Sequence, residues 1–400
     1  MWNNAKALSI HRGALNEDEP YLRSVVFQQW LFGYELPDTV VVLTQEGDFY
    51  MLATKKKLEL LKPAVGKNKA FKLHLLLRNK EDNNAAHYET LMGQLKGGAV
   101  GVISKERDSN KENAGGILGP WEAKLDAEME NDSIVDMTHG LALVLAPKDD
   151  SEWDLMKKSS VLSNKVMKHG CMKRLEEIIE EEKEITHEAL ATEIEAVLED
   201  PSKIKLNVPQ DDVQSCYFPI VQSGGKYDIK VSAQSTSDTL KFDIITVSLG
   251  ARYKLYCSNI ARTFLVDPPK KVSETYETLL EMQEACLEAM RPGLPLKGVY
   301  KAAVSYLTKN GHEDLVSKLP KNLGFAQGLE FRDSSLTLSA KNGVTFKEGM
   351  VFCLSVGFSG LELSESDRDG TPEKSAVSIG YWFDMPLGQI SYLNYHTLLS

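Results

Sequence analysis

The side chains that could do chemistry in this 400-residue chain are few and scattered. Eight histidines (His11, His74, His87, His139, His169, His187, His312, His396) form no His-x-x-x-His pair, the helical spacing that aims two imidazoles at one metal. Five cysteines (Cys171, Cys216, Cys257, Cys286, Cys353) include no Cys-x-x-Cys pair, so no structural zinc site is encoded. Their odd number and wide spacing suit a reducing compartment, cytosol or nucleus. No Gly-x-Ser-x-Gly elbow presents a nucleophile. Ser223-Gly224-Gly225-Lys226 is too short for a phosphate loop and runs into Tyr227. His74 stands in an apolar run and reads as a satisfied core histidine. Acid pairs are abundant only between residues 176 and 200, where eleven acids face the single base Lys183.

Ile178, Ile179, Leu190, Ile194, Val197 and Leu198 recur at helical spacing among those acids, so the segment reads as the solvated face of a helix. Its charge would also attract basic partners such as histones. The other residues carry 45 bases and 46 acids, and no sustained Lys/Arg cluster is read among them. Direct DNA binding is therefore the weakest expectation. With 42% apolar residues the chain can bury substantial cores, which excludes general disorder. No apolar stretch approaches the roughly 20 residues of a membrane span. Met1 to Arg12 lacks the pattern of a secretory signal.

The elements that must position any site follow from periodicity. Thr39–Thr44, Phe49–Leu52, Leu73–Leu77, Val100–Ile103 and Leu141–Ala146 are short apolar runs expected as strands. Val25–Leu31, Lys55–Leu61 and His87–Leu95 carry the helical period. This alternation predicts an α/β lobe over residues 1–150 with a largely parallel sheet. Lys105–Gly119 is polar and reads as a surface loop. Pro147–Ser151 is the expected boundary. Residues 151–400 then run as helices (Glu152 to Glu199, with Thr186 as an N-cap), strands (Cys216 to Pro268), helices (Val272–Met290, Leu296–Lys309) and strands again to Trp382. That order is α+β.

One segment breaks the chemical silence. Val247-Ser248-Leu249-Gly250 through Ser258-Asn259-Ile260-Ala261-Arg262-Thr263-Phe264 resembles the metal-binding hairpin of the proline- and methionine-specific aminopeptidases, the pita-bread family. In that family two aspartates eleven residues apart help hold a dinuclear metal site that activates a water. Here the spacing survives, with Ser248 at the first aspartate position and Asn259 at the second. Gly324-Phe325-Ala326-Gln327-Gly328-Leu329-Glu330-Phe331-Arg332-Asp333 resembles the family's histidine motif. Phe325 then replaces the ligand histidine and Arg332 a catalytic one. Glu348-Gly349-Met350-Val351-Phe352 resembles the run leading to a ligand glutamate, at Ser355. The last glutamate falls at Gly380, and Ile220 to Gly224 matches an entry strand that places another histidine at Val231. Ser, Asn, Phe, Ser and Gly cannot hold a hard dication pair. The resemblance thus implies an α/β lobe followed by a pita-bread domain that is no enzyme, has no cofactor, and keeps a candidate peptide groove at Val231, Ser248, Asn259, Phe325, Arg332, Ser355 and Gly380.

Trp30-Leu31-Phe32-Gly33-Tyr34-Glu35-Leu36-Pro37-Asp38-Thr39, Asn322-Leu323-Gly324-Phe325 and Tyr256 to Phe264 further resemble the N-terminal domain of the large subunit of the FACT histone chaperones. The resemblance implies a nuclear, chromosomal module aiding nucleosome disassembly and reassembly in transcription, replication and repair. Its implied partners are core histones and nucleosomes. The smaller HMG-box subunit would be contacted through regions of the family outside this chain, and no membrane is involved. Two departures shape expectations. Met1 to Gln29 supply fewer residues before the tryptophan-containing segment than is usual, so the first helix and strand of the lobe are expected to be incomplete. The segment from Met385 onward does not read like the family's final strand. Two alternatives stay open: a docking platform for replication or transcription factors without histone binding, and, more remotely, a metal-dependent aminopeptidase with relocated ligands.

Overall fold

The computed structural model describes residues 2, 4–15, 19–67, 71–107, 116–225, 227–228, 232–362 and 376–386. The chain divides into two compact units, Met1–Leu145 and Ala146–Ser400.

Unit 1 is built on six strands: β1 (Ala5–Arg12), β2 (Thr39–Thr44), β3 (Asp48–Ala53), β4 (Lys72–Leu77), β5 (Ala99–Val102) and β6 (Ile134–Asp136). Their spatial order is β4-β3-β2-β1-β5-β6. The sheet is mixed rather than largely parallel, since β1–β2 and β2–β3 pair antiparallel. For β2–β3 the reason is loop length: Gln45–Gly47, with Gly47 at φ 89°, is a turn, and parallel neighbours need a crossover of a dozen or more residues. Along β2, Val41 faces one apolar cluster while Val40 and Val42 face the other. Helices α1 (Arg23–Phe32), α2 (Lys55–Leu61) and α5 (Thr138–Leu145) supply Phe27, Leu58, Leu61 and Leu141 to the first cluster. Helices α3 (Ala85–Leu95) and α4 (Leu118–Glu128) bring Leu91, Leu95, Trp121 and Leu125 to the second. Burial on both faces explains why these strands read as continuous apolar runs.

Three expectations need correction here. Leu141–Ala146 is no strand: it lies in α5 and its end, where Leu141, Ala142 and Leu145 share a buried face. A six-residue apolar run cannot by itself distinguish a strand from a buried helix. The lobe possesses a first strand and helix, β1 and α1, with β1 in the interior of the sheet. Of the expected loop over 105–119, residues 108–115 lie outside the described residues. Its flanks are not surface, because Glu106, Arg107, Ile117 and Leu118 are all buried.

Those two charges are satisfied in different ways. Both Glu106 carboxylate oxygens accept the Ser24 N–H at 3.2 Å, in the first turn of α1, where the helix dipole favours an anion. Burial nevertheless pushes this carboxyl above the usual carboxylate range, against the Ser24 and Arg23 N–H groups and Arg12, which favour its charge. Arg107 Nε donates to Glu122 at 2.6 Å and its Nη2 donates to Asp126, while His11 Nε2 pairs with the other oxygen of Glu122. Burial would raise Glu122 as well, but His11 and Arg107 prevail and hold it below the usual range. The sign for Glu106 follows. An acid raised in the folded state burdens folding above that raised pKa. The burden lifts as pH falls toward the unfolded value near 4.5. Glu106→Gln is therefore expected to be at least as stable as wild type at pH 7 in urea titrations. Its advantage should shrink as pH is lowered toward about 4.5; an advantage that grows on acidification would contradict this.

Unit 2 opens with α6 (Asp150–Lys165), whose N-terminus carries a capping box: Asp149 accepts the Glu152 N–H at 2.8 Å and Glu152 accepts the Asp149 N–H at 2.9 Å. A π-helical segment, Val166–Met172, continues into α7 (Lys173–Glu180), and α8 (His187–Glu199) follows with Thr186 accepting the Ala189 N–H. The sheet comprises β7 (Val213–Gln222), β8 (Ile244–Tyr253), β9 (Tyr256–Cys257), β10 (Ile260–Leu265), β11 (Asn322–Ala326), β12 (Asp333–Ser339), β13 (Val351–Glu362) and β14 (Ala376–Pro386). Its order is β12-β11-β13-β14-β10-β8-β7, with β9 paired to β8, and every pair is antiparallel. β14 continues past Trp382, with Met385 opposite Phe352. Helices α9 (Lys270–Glu288), α10 (Lys297–Lys309) and α11 (Glu313–Val316) lie between β10 and β11 in the chain. One core cluster packs α6, α7 and α8 residues such as Leu162, Ile178 and Ile194 against Ile245, Val247, Leu249 and Ala251 of β8. By strand alternation, Ser248 and Gly250 face the other side of the sheet.

Candidate functional site

The eleven-residue spacing of Ser248 and Asn259 is a hairpin spacing. Tyr253 pairs with Tyr256 and Arg252 with Cys257 around the two-residue turn Lys254-Leu255, where both residues have positive φ (44° and 75°), as a type I′ turn requires. Further along, Ala261 pairs with Ser248. Asn259 is two residues from Ser248's direct partner, so both side chains fall on one face as diagonal neighbours. Both are buried, at 6% and 2% exposure. A third residue joins them, the half-buried Tyr217 of β7. Its hydroxyl donates to Asn259 Oδ1 and shares a second hydrogen bond with Ser248 Oγ. Asn259 Nδ2 in turn donates to Cys353 Sγ at 3.6 Å.

The segment from Gly324 to Asp333 closes the other side. Cys257 N–H donates to Gly328 O at 2.8 Å and Gln327 N–H to Val351 O at 3.0 Å, tying it to the hairpin and to β13. Phe331 lies 5.0 Å from the Tyr217 ring and 5.7 Å from Phe325, centroid to centroid. Phe325 is buried, and the exposed Arg332 places its guanidinium 5.6 Å from that ring. Ser355 of β13 is half-buried and pairs with Trp382, while Gly380 pairs with Gly357 two residues further along β13. Val231 lies outside the described residues. Five of the expected site residues thus belong to one neighbourhood of β8, β10, β11 and β13, and Gly380 is on the adjoining strand.

Sequence reasoning missed Tyr217, Phe331 as a packing partner, and Cys353. The only signal for Tyr217 was a large aromatic residue on the entry strand. It pairs with Gly250, whose absent Cβ would lie 2.9 Å from Tyr217 Cε1.

The donor set does not fit a metal pair. Ser248, Asn259, Phe325, Ser355 and Gly380 offer neither carboxylate nor imidazole where hard dications need them. Among the described residues no group of three His, Cys, Asp or Glu side chains stands close enough to hold a metal ion elsewhere. Also among the described residues, no helix is long and apolar enough to cross a membrane. The arrangement can hold groups by hydrogen bonding and aromatic contact.

Residues 154–380 match metallopeptidase family M24, and residues 1–140 match the N-terminal lobe domain of FACT complex subunit SPT16. The class is thereby defined: an SPT16-type N-lobe joined to a pita-bread domain of the M24 family. The chain is 37% identical over 389 residues to FACT complex subunit SPT16 of Oryza sativa subsp. japonica, covering 94% of this chain and 36% of that protein. It spans about a third of the length of such curated relatives. The solved N-terminal domain of SPT16 from Cicer arietinum superposes with a TM-score of 0.86 at 34% identity, over 96% of this chain and 89% of that one. The X-Pro aminopeptidase of Thermotoga maritima, at 16% identity and a TM-score of 0.63 over 96% and 93%, shares the fold alone. The chain belongs to the family of FACT complex subunit SPT16 N-terminal domains.

Proposed function

We propose that this chain is a non-catalytic histone-chaperone module of the FACT type, acting in the nucleus on chromosomes. It would aid nucleosome disassembly and reassembly in transcription, replication and repair. The observation that carries the reading is the exchange at the ancestral centre: a scaffold that orients peptides is kept, while Tyr217 ties Ser248 to Asn259 where ligands would stand. In this reading the former substrate cleft takes an extended histone segment through hydrogen bonds and pockets. Because Ser248, Asn259 and Phe325 are buried, direct contact falls to Arg332 and Ser355. The acids between Glu176 and Asp200 would steer a basic partner in a salt-sensitive way. The smaller HMG-box subunit would be engaged by regions of the full-length protein outside this chain.

The test is a fluorescence titration with purified core-histone pairs at about 150 mM salt, where weak charge attraction is largely screened. Saturable binding is expected. Ser355→Lys, which inserts a bulky cation against a basic ligand, should weaken it about tenfold or more, roughly 1.4 kcal/mol. Unchanged affinity in that variant would remove the cleft from the reading. Absence of any binding would favour the second reading, a docking platform for replication or transcription factors. Trp30 and Tyr34, 39% and 38% exposed at one end of α1, motivate that alternative.

A further inference from the structure

The acidic run beginning at Glu176 is preceded by its opposite. From Lys157 to Arg174 the chain holds six bases and no acid. Arg174 is taken up by Glu193 at 2.7 Å and Glu177 at 3.1 Å. The five lysines, Lys157, Lys158, Lys165, Lys168 and Lys173, form no ion pair or hydrogen bond among the described residues. Lys157 and Lys158 instead rest over the rings of Trp153 and Tyr253, at 5.4 and 5.9 Å. Lys157, Lys158, Lys165 and Lys173 are exposed and Lys168 is half-buried.

The backbone brings the lysines at the two ends of the π segment toward one side. Under strict α-helical geometry the eight residues from Lys165 to Lys173 would leave the two lysines about 80° apart around the axis. The π segment Val166–Met172 intervenes, and its wider turn reduces that angle. Gly170 permits close packing there: a Cβ would stand 3.0 Å from Val197 Cγ1. His169 shows the convergence. Partial burial, then Lys173, Lys165 and Lys168, push its imidazole below the usual range, so all three ammonium groups act on it.

We propose that this ridge, about 24 Å long at 1.5 Å per residue, is a docking surface for the phosphate backbone of duplex DNA. The ridge is a convex helix face with one exposed apolar residue, Val161 at 45%. It offers no groove in which a peptide side chain could anchor. An acidic protein segment would have to be ordered on it with no apolar gain. A duplex needs no such ordering and presents one negative charge per roughly 1.7 Å of axis. Lysines contribute point charges without the bidentate geometry that reads bases, so the contact is sequence-independent. Asp154 and Glu176 bracket the ridge and limit the footprint to the lysine stretch.

The test is fluorescence anisotropy of the intact chain with a labelled mixed-sequence duplex of three helical turns, between about 50 and 200 mM KCl. Five phosphate contacts give a log–log salt slope of about −4.5, so affinity should fall about 500-fold across that range. Lys157→Gln, Lys165→Gln, Lys168→Gln and Lys173→Gln together should bring the slope to about −1. Lys301→Gln with Lys309→Gln, on α10, should leave it unchanged. These substitutions are at exposed positions, except the half-buried Lys168, and coincident thermal melts establish that the variants fold. The proposal is overturned if wild type fails to bind at the lowest salt, or if the ridge variant keeps the wild-type slope. It is also overturned if polyglutamate displaces the duplex at equal charge concentration, which would make the ridge a dock for acidic protein segments.

Discussion

Glu122→Gln is expected to destabilise unit 1 by about 3 kcal/mol, at the lower end of the cost of breaking a buried ion pair. The carboxylate pairs with both the Arg107 guanidinium and the His11 imidazole, and all three side chains are buried. Neutralising it leaves Arg107 with Asp126 alone, whose side chain is 44% exposed and therefore a screened partner. The loss should appear as faster amide exchange in β1, which carries His11, while the amides of β13 in unit 2 are unchanged. Replacing Glu122 and Arg107 together by leucine should restore much of the stability, because an apolar pair of similar volume avoids the desolvation cost. Equal exchange in wild type and Glu122→Gln would show that the network holds nothing together. The pH behaviour separates the buried acids Glu122 and Glu106. Glu122, held low, contributes stability that is present above about 4.5 and fades as pH falls through its folded pKa, whereas Glu106 contributes in the opposite sense.

Gly324→Ala is expected to cost more than about 4 kcal/mol and to prevent β11 from joining the sheet. Gly324 has φ 136°, and a Cβ there would lie 2.1 Å from the carbonyl oxygen of Cys353 on β13. That neighbour is backbone within a strand ladder, where Gly324 faces Leu354 and Phe325 faces Cys353, so it has nowhere to retreat. Circular dichroism and exchange of the β11 and β13 amides report the outcome. Gly298→Ala provides the control, since nothing lies within 4 Å of a Cβ at that position of α10. It should be neutral or stabilising by up to about 1 kcal/mol. A Gly324→Ala protein that melts with wild type would contradict the close approach.

How much of this was legible in the sequence depends on whether a feature is local. The hairpin of β8 and β10 was legible because eleven residues around a two-residue turn fix both register and face. The helices α9 and α10 were legible from periodicity alone. Tyr217 was not, because its hydroxyl meets Ser248 and Asn259 only through the alignment of β7 with β8, with shifts in register on either side of Tyr217. Glu106 and Arg107 were read as loop because charged residues default to solvent, and nothing local shows that Ser24, Glu122 and Asp126 await them. The lysine ridge escaped for a different reason. Summed over the chain outside 176–200, its six bases are cancelled by acids placed elsewhere. Net charge is an average, while a partner meets a face.

The Tyr217 hydroxyl carries an evolutionary consequence. An aspartate restored at position 248 or 259 alone would gain no metal. It would be an anion buried beside a phenol, with serine, phenylalanine and glycine at the other positions where the resemblance expects ligands. Each single reversion is thus disfavoured until several others, including removal of Tyr217, have already occurred. The plug acts as a ratchet: with the phenol between those two side chains, no single substitution toward a metal centre is favoured by itself.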